Sequence, residues 1–259
     1  MTAAYFREWE PLLPPTGISS GPLVVLSPHP DDEVIGAGGL ILGHRLAGEH
    51  VSVLVMTDGR MGDPGGDQSD AYVALREKEC RAAGVVLDSQ ETSFLGFHDG
   101  GLAELFHQDC AATVDKLTQK LGETPHGTLA LPSPFELHPD HKATFLLGFE
   151  AWTARGRNER LILYEVGSLM PCNLLLDITV VGDKKDEALG CYASQLVHHD
   201  ITAKVRALDI ARCANIPDQA VKRCEGYLEV KPKSADEFRR LVDELLQVTD
   251  GMRPGISDE

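Results

Sequence analysis

The chain has 259 residues, 42% of them hydrophobic, with 40 acidic against 24 basic side chains and a net charge of −16. Such an acidic surface disfavours a broad contact with a nucleic-acid backbone, so nucleic acid is not expected as a partner. No apolar run approaches the roughly 20 residues that span a bilayer, and the N-terminus lacks the basic patch of a secretory signal. These features predict a cytoplasmic protein, and its length suits a single domain.

Strand-like and helix-like patterns alternate along the first two thirds of the chain. After a leader at 1–21 that is rich in Pro, Gly and Ser, the pattern predicts strands at 23–26, 51–56, 91–94, 128–131 and 161–166. Helices are predicted at 38–48, 71–83 (with Gly84 as the stop), 109–121 and 141–154. This alternation favours an α/β fold with a mostly parallel sheet and helices on both faces.

The pattern changes beyond residue 170. A strand is predicted at 174–181, helices at 184–195 and 202–213, an extended segment at 226–230 and an amphipathic helix at 235–247. We interpret residues 171–250 as a C-terminal elaboration packed on the core formed by residues 22–170, within one domain spanning 1–259. The last residues, 251–259, are expected to form a flexible tail.

A dense polar segment, Pro28-His29-Pro30-Asp31-Asp32-Glu33, lies directly after the first predicted strand. Ligands of open α/β sheets bind at the carboxyl ends of the strands. His29 and Asp32 can turn toward one ion, while Asp31 between them points elsewhere and is left free for proton transfer. So many ionisable groups would repel one another in a cleft unless a cation organised them, and zinc suits mixed imidazole and carboxylate ligands.

A second cluster, His138-Pro139-Asp140-His141, follows another apolar strand across a Pro/Ser turn and also precedes a helix. Either cluster alone could be ordinary loop capping. Because the carboxyl ends of parallel strands meet at one edge of a sheet, we expect the two clusters to lie together there. Together they predict a metal site.

The first cluster resembles the Pro-His-Pro-Asp-Asp-Glu signature of the LmbE-like (PIG-L) deacetylases. This superfamily includes the N-acetylglucosaminyl-phosphatidylinositol deacetylases and the deacetylases of the mycothiol and bacillithiol pathways. The second cluster is similar to the family's His-x-x-His segment. Further similarities are Thr57-Asp58-Gly59, Arg76-Glu77, the loop at 94–100, Tyr192-Ala193-Ser194-Gln195 and Glu225-Gly226-Tyr227. The resemblance implies a Rossmann-like core.

The resemblance also implies the site residues. One zinc ion, for which Fe²⁺ or Co²⁺ could substitute, would be held by His29, Asp32 and His141. A fourth position would be left for water, as in catalytic zinc sites. Asp31 would be the general base, and His138 would face the developing oxyanion with Asp140 holding its tautomer. Either Asp31 or His138 could protonate the leaving amine.

Three residues are candidates for contact with the substrate. Arg76 and Asp99 are suggested by the resemblance, although Arg76 could form a surface pair with Glu77 and Asp99 could stabilise a turn. Many relatives carry Glu where this chain has Arg60, which would favour an anionic or differently substituted substrate.

The expected reaction is hydrolysis of the acetamide of a small amino sugar or amino-sugar conjugate, releasing acetate and an amine. The first alternative is a metal-dependent amidase acting on another N-acyl amine or thiol conjugate. A metal-binding or sugar-binding protein without turnover is disfavoured by Asp31, which has no role in mere ligation. A homo-oligomer is compatible with the sequence.

Two other motifs are discounted. The segment Gly36-Ala37-Gly38-Gly39 does not complete the dinucleotide-binding pattern because residue 41 is Ile, so its glycines are expected to let the helix pack closely on the sheet. His198-His199-Asp200 lies between two predicted helices, where Asp200 is expected to act as an N-cap.

Overall fold

The computed structural model describes residues 21–124, 127–197 and 200–251. The predicted leader up to residue 20, the predicted tail beyond residue 251 and the pair His198-His199 lie outside these ranges. Among the described residues, no helix combines the length and the apolar character needed to cross a membrane.

Seven strands form one sheet in the order β3-β2-β1-β4-β5-β7-β6. Neighbours among the first five are parallel, whereas β7 runs antiparallel to both β5 and β6. The strands are β1 Leu23–Ser27, β2 Val51–Thr57, β3 Glu91–Phe97, β4 Thr128–Pro132, β5 Arg160–Tyr164, β6 Leu174–Asp177 and β7 Cys224–Val230. β1, β2 and β4 are buried along their whole length, which explains their continuous apolar runs.

Helices cover both faces of the sheet and form two cores. One contains residues of α1, α2, α5 and α7, and the other contains residues of α3, α4 and α8. The helices are α1 Asp32–Leu46, α2 Asp70–Val86, α3 Leu102–Glu123, α4 Pro139–Ala154, α5 Gly182–Leu189, α6 Ala193–Leu196, α7 Ile201–Ala211 and α8 Ala235–Gly251, with 3₁₀ turns at Arg60–Gly62 and Pro232–Ser234. The predicted α/β fold is confirmed.

The strand order places the site. The chain leaves β1 toward β2 on one side, and β4 lies on the other side of β1. Between β1 and β4 the order therefore reverses, and a crevice opens outside the carboxyl ends of these two strands. The first polar cluster follows β1 and the second follows β4, so the topology brings both clusters to the same crevice.

Several predicted helix limits were wrong. α1 begins at Asp32 rather than at residue 38, because the polar cluster forms its first turn. Gly84 lies inside α2 and does not end it. A Cβ at this position would meet the Ser89 hydroxyl at 2.9 Å, so the glycine permits close packing instead. α3 begins at Leu102 and contains a non-helical residue at Asp109, where the sequence pattern placed its start.

In the elaboration, the predicted helix at 184–195 is two helices, α5 and α6, and the predicted strand at 174–181 ends at Asp177. The Asp200 side chain accepts a hydrogen bond from Ala203 N at 2.9 Å, which confirms its predicted role as the N-cap of α7.

Candidate metal centre and catalytic site

Three side-chain atoms from the two clusters meet above the carboxyl ends of β1 and β4. The Asp32 Oδ2 atom lies 3.0 Å from His29 Nδ1 and 3.2 Å from His141 Nε2, and the two nitrogens are 3.2 Å apart. Zinc bonds of about 2.0–2.2 Å in a tetrahedral arrangement separate neighbouring ligand atoms by roughly 3.3 Å. The donor types and their spacing therefore fit one zinc ion bound by three protein ligands.

The opposite nitrogen of His29 faces two carboxylates. His29 Nε2 lies 3.0 Å from Asp99 Oδ1 and 3.3 Å from Asp140 Oδ2. Asp140 is fixed in turn by the amides of Gly100 at 2.6 Å and Leu102 at 3.0 Å, at the start of α3. Carboxylates that hold the second nitrogen of a metal-ligating histidine set its tautomer and orientation. Asp99 and Asp140 therefore orient the His29 ring, a role that the sequence did not indicate.

His138 is exposed at the N-terminus of α4, and its ring centroid lies 4.7 Å from that of His29. Its Nδ1 accepts a hydrogen bond from the Asp140 main-chain N–H at 3.2 Å. The neutral ring consequently carries its proton on Nε2. The main chain of Asp140 therefore holds the His138 tautomer, while its carboxylate holds His29. Partial desolvation of the ring by its neighbours, together with the charges of His29 and His141, lowers the pKa of His138.

Glu136 is a buried residue that the sequence analysis missed. It accepts hydrogen bonds from the amides of Val166 at 2.8 Å, Gly167 at 2.9 Å and Ser168 at 3.3 Å. Its Oε2 lies 3.6 Å from Nδ1 of His141, a buried nitrogen with no hydrogen-bond partner among the described residues. Burial opposes the charge of His141, but Asp32 and Glu136 raise its pKa to about 9. The only sequence signal is an acidic residue two positions before the second cluster.

Asp31 directly precedes Asp32 in the chain, and its carboxylate is not one of the three clustered atoms. It has φ 134° and ψ −28°, and its carboxylate Oδ2 accepts a hydrogen bond from Arg76 Nη2 at 3.1 Å. Desolvation raises the pKa of Asp31 to about 7, against the lowering effect of the Arg76 charge. Arg76 is only 2% exposed and also donates to the Pro30 carbonyl. The alternative of a surface pair between Arg76 and Glu77 is therefore wrong.

Arg60 follows the turn after β2, and its charge is already balanced. Its Nε donates to Asp58 Oδ2 at 2.7 Å, and its Nη2 lies 3.7 Å from Asp70. The next residue, Met61, lines an open cleft of about 630 Å³ together with Asp99 and the start of α3. The Met61 amide donates to Asp99 Oδ2 at 3.0 Å, so Asp99 connects this turn to His29.

The fold and the site together define a class of protein: a Rossmann-like α/β protein with a His/Asp cluster suited to one divalent metal at its switch point, beside a buried carboxylate. Comparison with known proteins gives the family. The family model of GlcNAc-PI de-N-acetylases, PIG-L, matches residues 24–152. The chain belongs to this PIG-L (LmbE-like) family, as the first cluster indicated.

The relatives support the same class. A probable N-acetyl-α-D-glucosaminyl L-malate deacetylase 2 from Bacillus anthracis is 26% identical over 67% of this chain and 80% of its own length. A diacetylchitobiose deacetylase from Thermococcus kodakarensis is 34% identical over 52% of this chain and 50% of its own length. A conserved protein from Thermus thermophilus, with a solved structure, is 28% identical with a TM-score of 0.71 over 82% of this chain and 96% of its own. The chain is accordingly an enzyme of the deacetylase class, a hydrolase of N-acetyl amides.

Proposed function

We propose that this protein is a zinc-dependent deacetylase that removes the acetyl group from the nitrogen of a small amino sugar or amino-sugar conjugate. The observation that carries the proposal is the triangle of His29 Nδ1, Asp32 Oδ2 and His141 Nε2, with sides of 3.0–3.2 Å, beside the carboxylate of Asp31. The two relatives support the amino-sugar part, because their names give N-acetylated glucosamine derivatives as their substrates.

His29, Asp32 and His141 are the ligands in this proposal. A zinc ion held by them would supply a Lewis acid that makes water a nucleophile near pH 7 and polarises the amide carbonyl. Asp99 and Asp140 hold the ring of His29 by its opposite nitrogen, and Glu136 lies 3.6 Å from the corresponding nitrogen of His141, so that the rings would need little rearrangement on binding.

The remaining residues move protons. Asp31 accepts the proton of the attacking water, since this buried residue directly precedes the ligand Asp32 and its carboxylate is oriented by Arg76. His138 presents its Nε2–H to the oxygen on which negative charge develops, because its Nδ1 is engaged by the main chain. The departing amine needs a proton, which either Asp31 or His138 would supply.

The substrate enters through the cleft beside Met61 and Asp99. Asp99 Oδ1 and Oδ2 are engaged by His29 and by the Met61 amide, and Arg60 is paired with Asp58. A sugar in the cleft would therefore meet Asp99 as an acceptor held in a fixed orientation, while Arg60 has little free charge for a substrate anion.

A substrate panel with metal control tests the proposal. The protein, stripped with a chelator and reloaded with zinc, Fe²⁺ or Co²⁺, is mixed with neutral and acidic N-acetylated amino sugars, their conjugates and N-acyl amino acids. Released acetate and amine are then measured. We expect turnover of acetamido sugars that is lost on chelation and restored by metal.

Turnover confined to N-acyl amino acids or thiol conjugates would favour the amidase alternative. Turnover that persists unchanged without metal would overturn the zinc proposal. Equal KM values for neutral and acidic sugars in the wild type and in Arg60→Ala would exclude a role of Arg60 in selecting an anionic substrate.

A further inference from the structure

The buried carboxylate of Glu33 has no part in the mechanism above. Glu33 is 2% exposed, and its Oε2 accepts a hydrogen bond from the Asp31 main-chain N–H at 3.0 Å. The Ser27 hydroxyl lies 3.2 Å from the same oxygen and 2.7 Å from the His29 carbonyl oxygen. Its Oε1 accepts from the Tyr192 hydroxyl and, at 3.5 Å, from the Cys80 thiol. A buried carboxylate that accepts from three donors is held rigidly, so it can in turn hold the residues that it contacts.

The residue it contacts has an unfavourable backbone. Asp31 is a non-glycine residue with φ 134°, a conformation that is unfavourable for an L side chain and persists only where its surroundings impose it. The hydrogen bond from Asp31 N to Glu33 fixes the main chain on one side of this residue, and Arg76 fixes the carboxylate on the other. Relaxation of φ would turn the Asp31 amide away from Glu33 and swing the carboxylate.

The anchor of Glu33 comes from the C-terminal elaboration. Tyr192 is 1% exposed and lies directly before α6, outside residues 24–152 that match the family model. The two residues after Ala193 fasten the same segment: Ser194 N donates to Glu79 at 2.9 Å, and Gln195 Nε2 donates to the Gly62 carbonyl at 3.3 Å. The segment from Tyr192 to Gln195 therefore contacts α2, the turn at Arg60–Gly62 and, through Glu33, the proposed base Asp31.

We propose that Tyr192 and Glu33 are positioning residues that hold Asp31 in its unfavourable backbone conformation, so that its carboxylate is aimed at the attacking water. The chain of contacts runs from the Tyr192 hydroxyl through the Glu33 carboxylate to the Asp31 amide. The kinetic part of this proposal rests on the proposed function, whereas the structural part does not.

The test compares two substitutions of the same kind. Tyr192→Phe removes the hydroxyl that anchors Glu33. Tyr227→Phe is the matched control, because Tyr227 is also fully buried and its hydroxyl donates to another buried glutamate, Glu225, on β7. Each change removes one buried Tyr–Glu hydrogen bond, so similar decreases of Tm are expected.

Of the two substitutions, only Tyr192→Phe should disturb the position of Asp31. We expect its kcat to fall by about 10-fold or more, since small displacements of a reacting group are costly, with KM and the zinc content of the protein unchanged. Hydrogen exchange of the Asp31 amide should accelerate in Tyr192→Phe and stay at the wild-type rate in Tyr227→Phe. Glu33→Gln, which weakens the same contacts at their centre, should accelerate this exchange as well.

The proposal is overturned if Asp31 exchange is the same in the wild type and both Phe variants, or if kcat falls equally in Tyr192→Phe and Tyr227→Phe. The exchange measurement needs no substrate. Absence of turnover in the zinc-loaded wild type would therefore refute the proposed function while leaving the exchange result to decide on the role of Tyr192.

Discussion

Asp31 is the residue whose role can be isolated most cleanly, because it lies between two predicted ligands without being one. Asp31→Asn keeps the shape of the side chain and its contact with Arg76 but removes the proton acceptor. We expect kcat to fall by about 10²–10⁴-fold, the usual contribution of a general base, while one zinc ion per chain is retained. Metal analysis and steady-state kinetics on the same preparation check this. Wild-type kcat in the variant would disprove the assignment of the base.

Glu136 is expected to act through His141 on the metal. Metal binding through Nε2, as proposed, would make Nδ1 of His141 a stronger donor, and a small shift would close the 3.6 Å gap to Glu136. Loss of such a partner typically lowers metal affinity by about 10–100-fold, so Glu136→Gln should raise the Kd for zinc by that factor. Competition with a chelator measures it.

Glu79→Gln is the control for the Glu136 prediction. Glu79 is also buried, but its carboxylate accepts hydrogen bonds from the amide and the hydroxyl of Ser194 and not from the proposed ligands. An equal loss of zinc affinity in both variants would mean that Glu136 acts only through the stability of the fold.

At the scale of single residues, the sequence predicted what lies within one short segment. The histidines and aspartates of the two clusters could be recognised because each cluster occupies a few consecutive positions after a strand. The contacts of Asp99 with His29 and of Arg76 with Asp31 could not be predicted, since they join residues far apart in the chain through the packing of α2 and of the loop after β3. Periodicity carries no information about such distances.

At the scale of elements, α1 is the helix whose packing is most demanding. A Cβ on Gly36 would lie well inside van der Waals contact of the Glu165 carbonyl oxygen and the Tyr164 ring, whereas a Cβ on Gly43 of the same helix would meet nothing within 4 Å. Gly36→Ala should therefore destabilise the protein by about 1–3 kcal/mol, as overpacking does. Gly43→Ala should stabilise it by roughly 0.5–1 kcal/mol, the helix propensity difference. Denaturant unfolding measures both.

The comparison of Gly36 and Gly43 tests the packing argument directly, because both substitutions add one methyl group to the same helix. Stabilisation by Gly36→Ala would contradict it. The glycines near the start of α1 were expected to permit close packing on the sheet, and the contact of Gly36 with the residues at the end of β5 shows why only one of these two positions requires glycine. The composition of α1 alone could not distinguish them.

The order of the strands and the reversed direction of β7 belong to the whole molecule and could not be predicted from the sequence. Alternation predicted the parallel part, but a seven-residue strand such as β7 has the same pattern in either direction. Because β6 and β7 pair into the same sheet as β1–β5, the elaboration shares its backbone hydrogen bonds with the core. This arrangement supports the prediction of one domain.

A buried ion network connects the elaboration to the core and provides a test of whether the chain forms one domain. Lys185 is fully buried, and its Nζ lies 2.8 Å from Glu225 and 3.1 Å from Asp209. Glu225 in turn accepts the amides of Gly39 and Leu40 in α1, at 2.8 and 2.9 Å. Arg223 Nη2 also pairs with Asp209 at 2.7 Å, so Lys185→Met would leave Asp209 with a cation but would remove the cation of Glu225.

Removing one partner of a buried ion pair typically costs about 3–5 kcal/mol, so we expect Lys185→Met to lower the free energy of unfolding by this amount. Arg240→Ala, which breaks an exposed pair with Glu244, should cost at most about 1 kcal/mol. If the chain is one domain, the whole unfolding transition of Lys185→Met shifts together when it is followed by circular dichroism and by calorimetry. Two transitions, with residues 171–251 unfolding first, would show that the elaboration is a separate unit and that the network joins two domains.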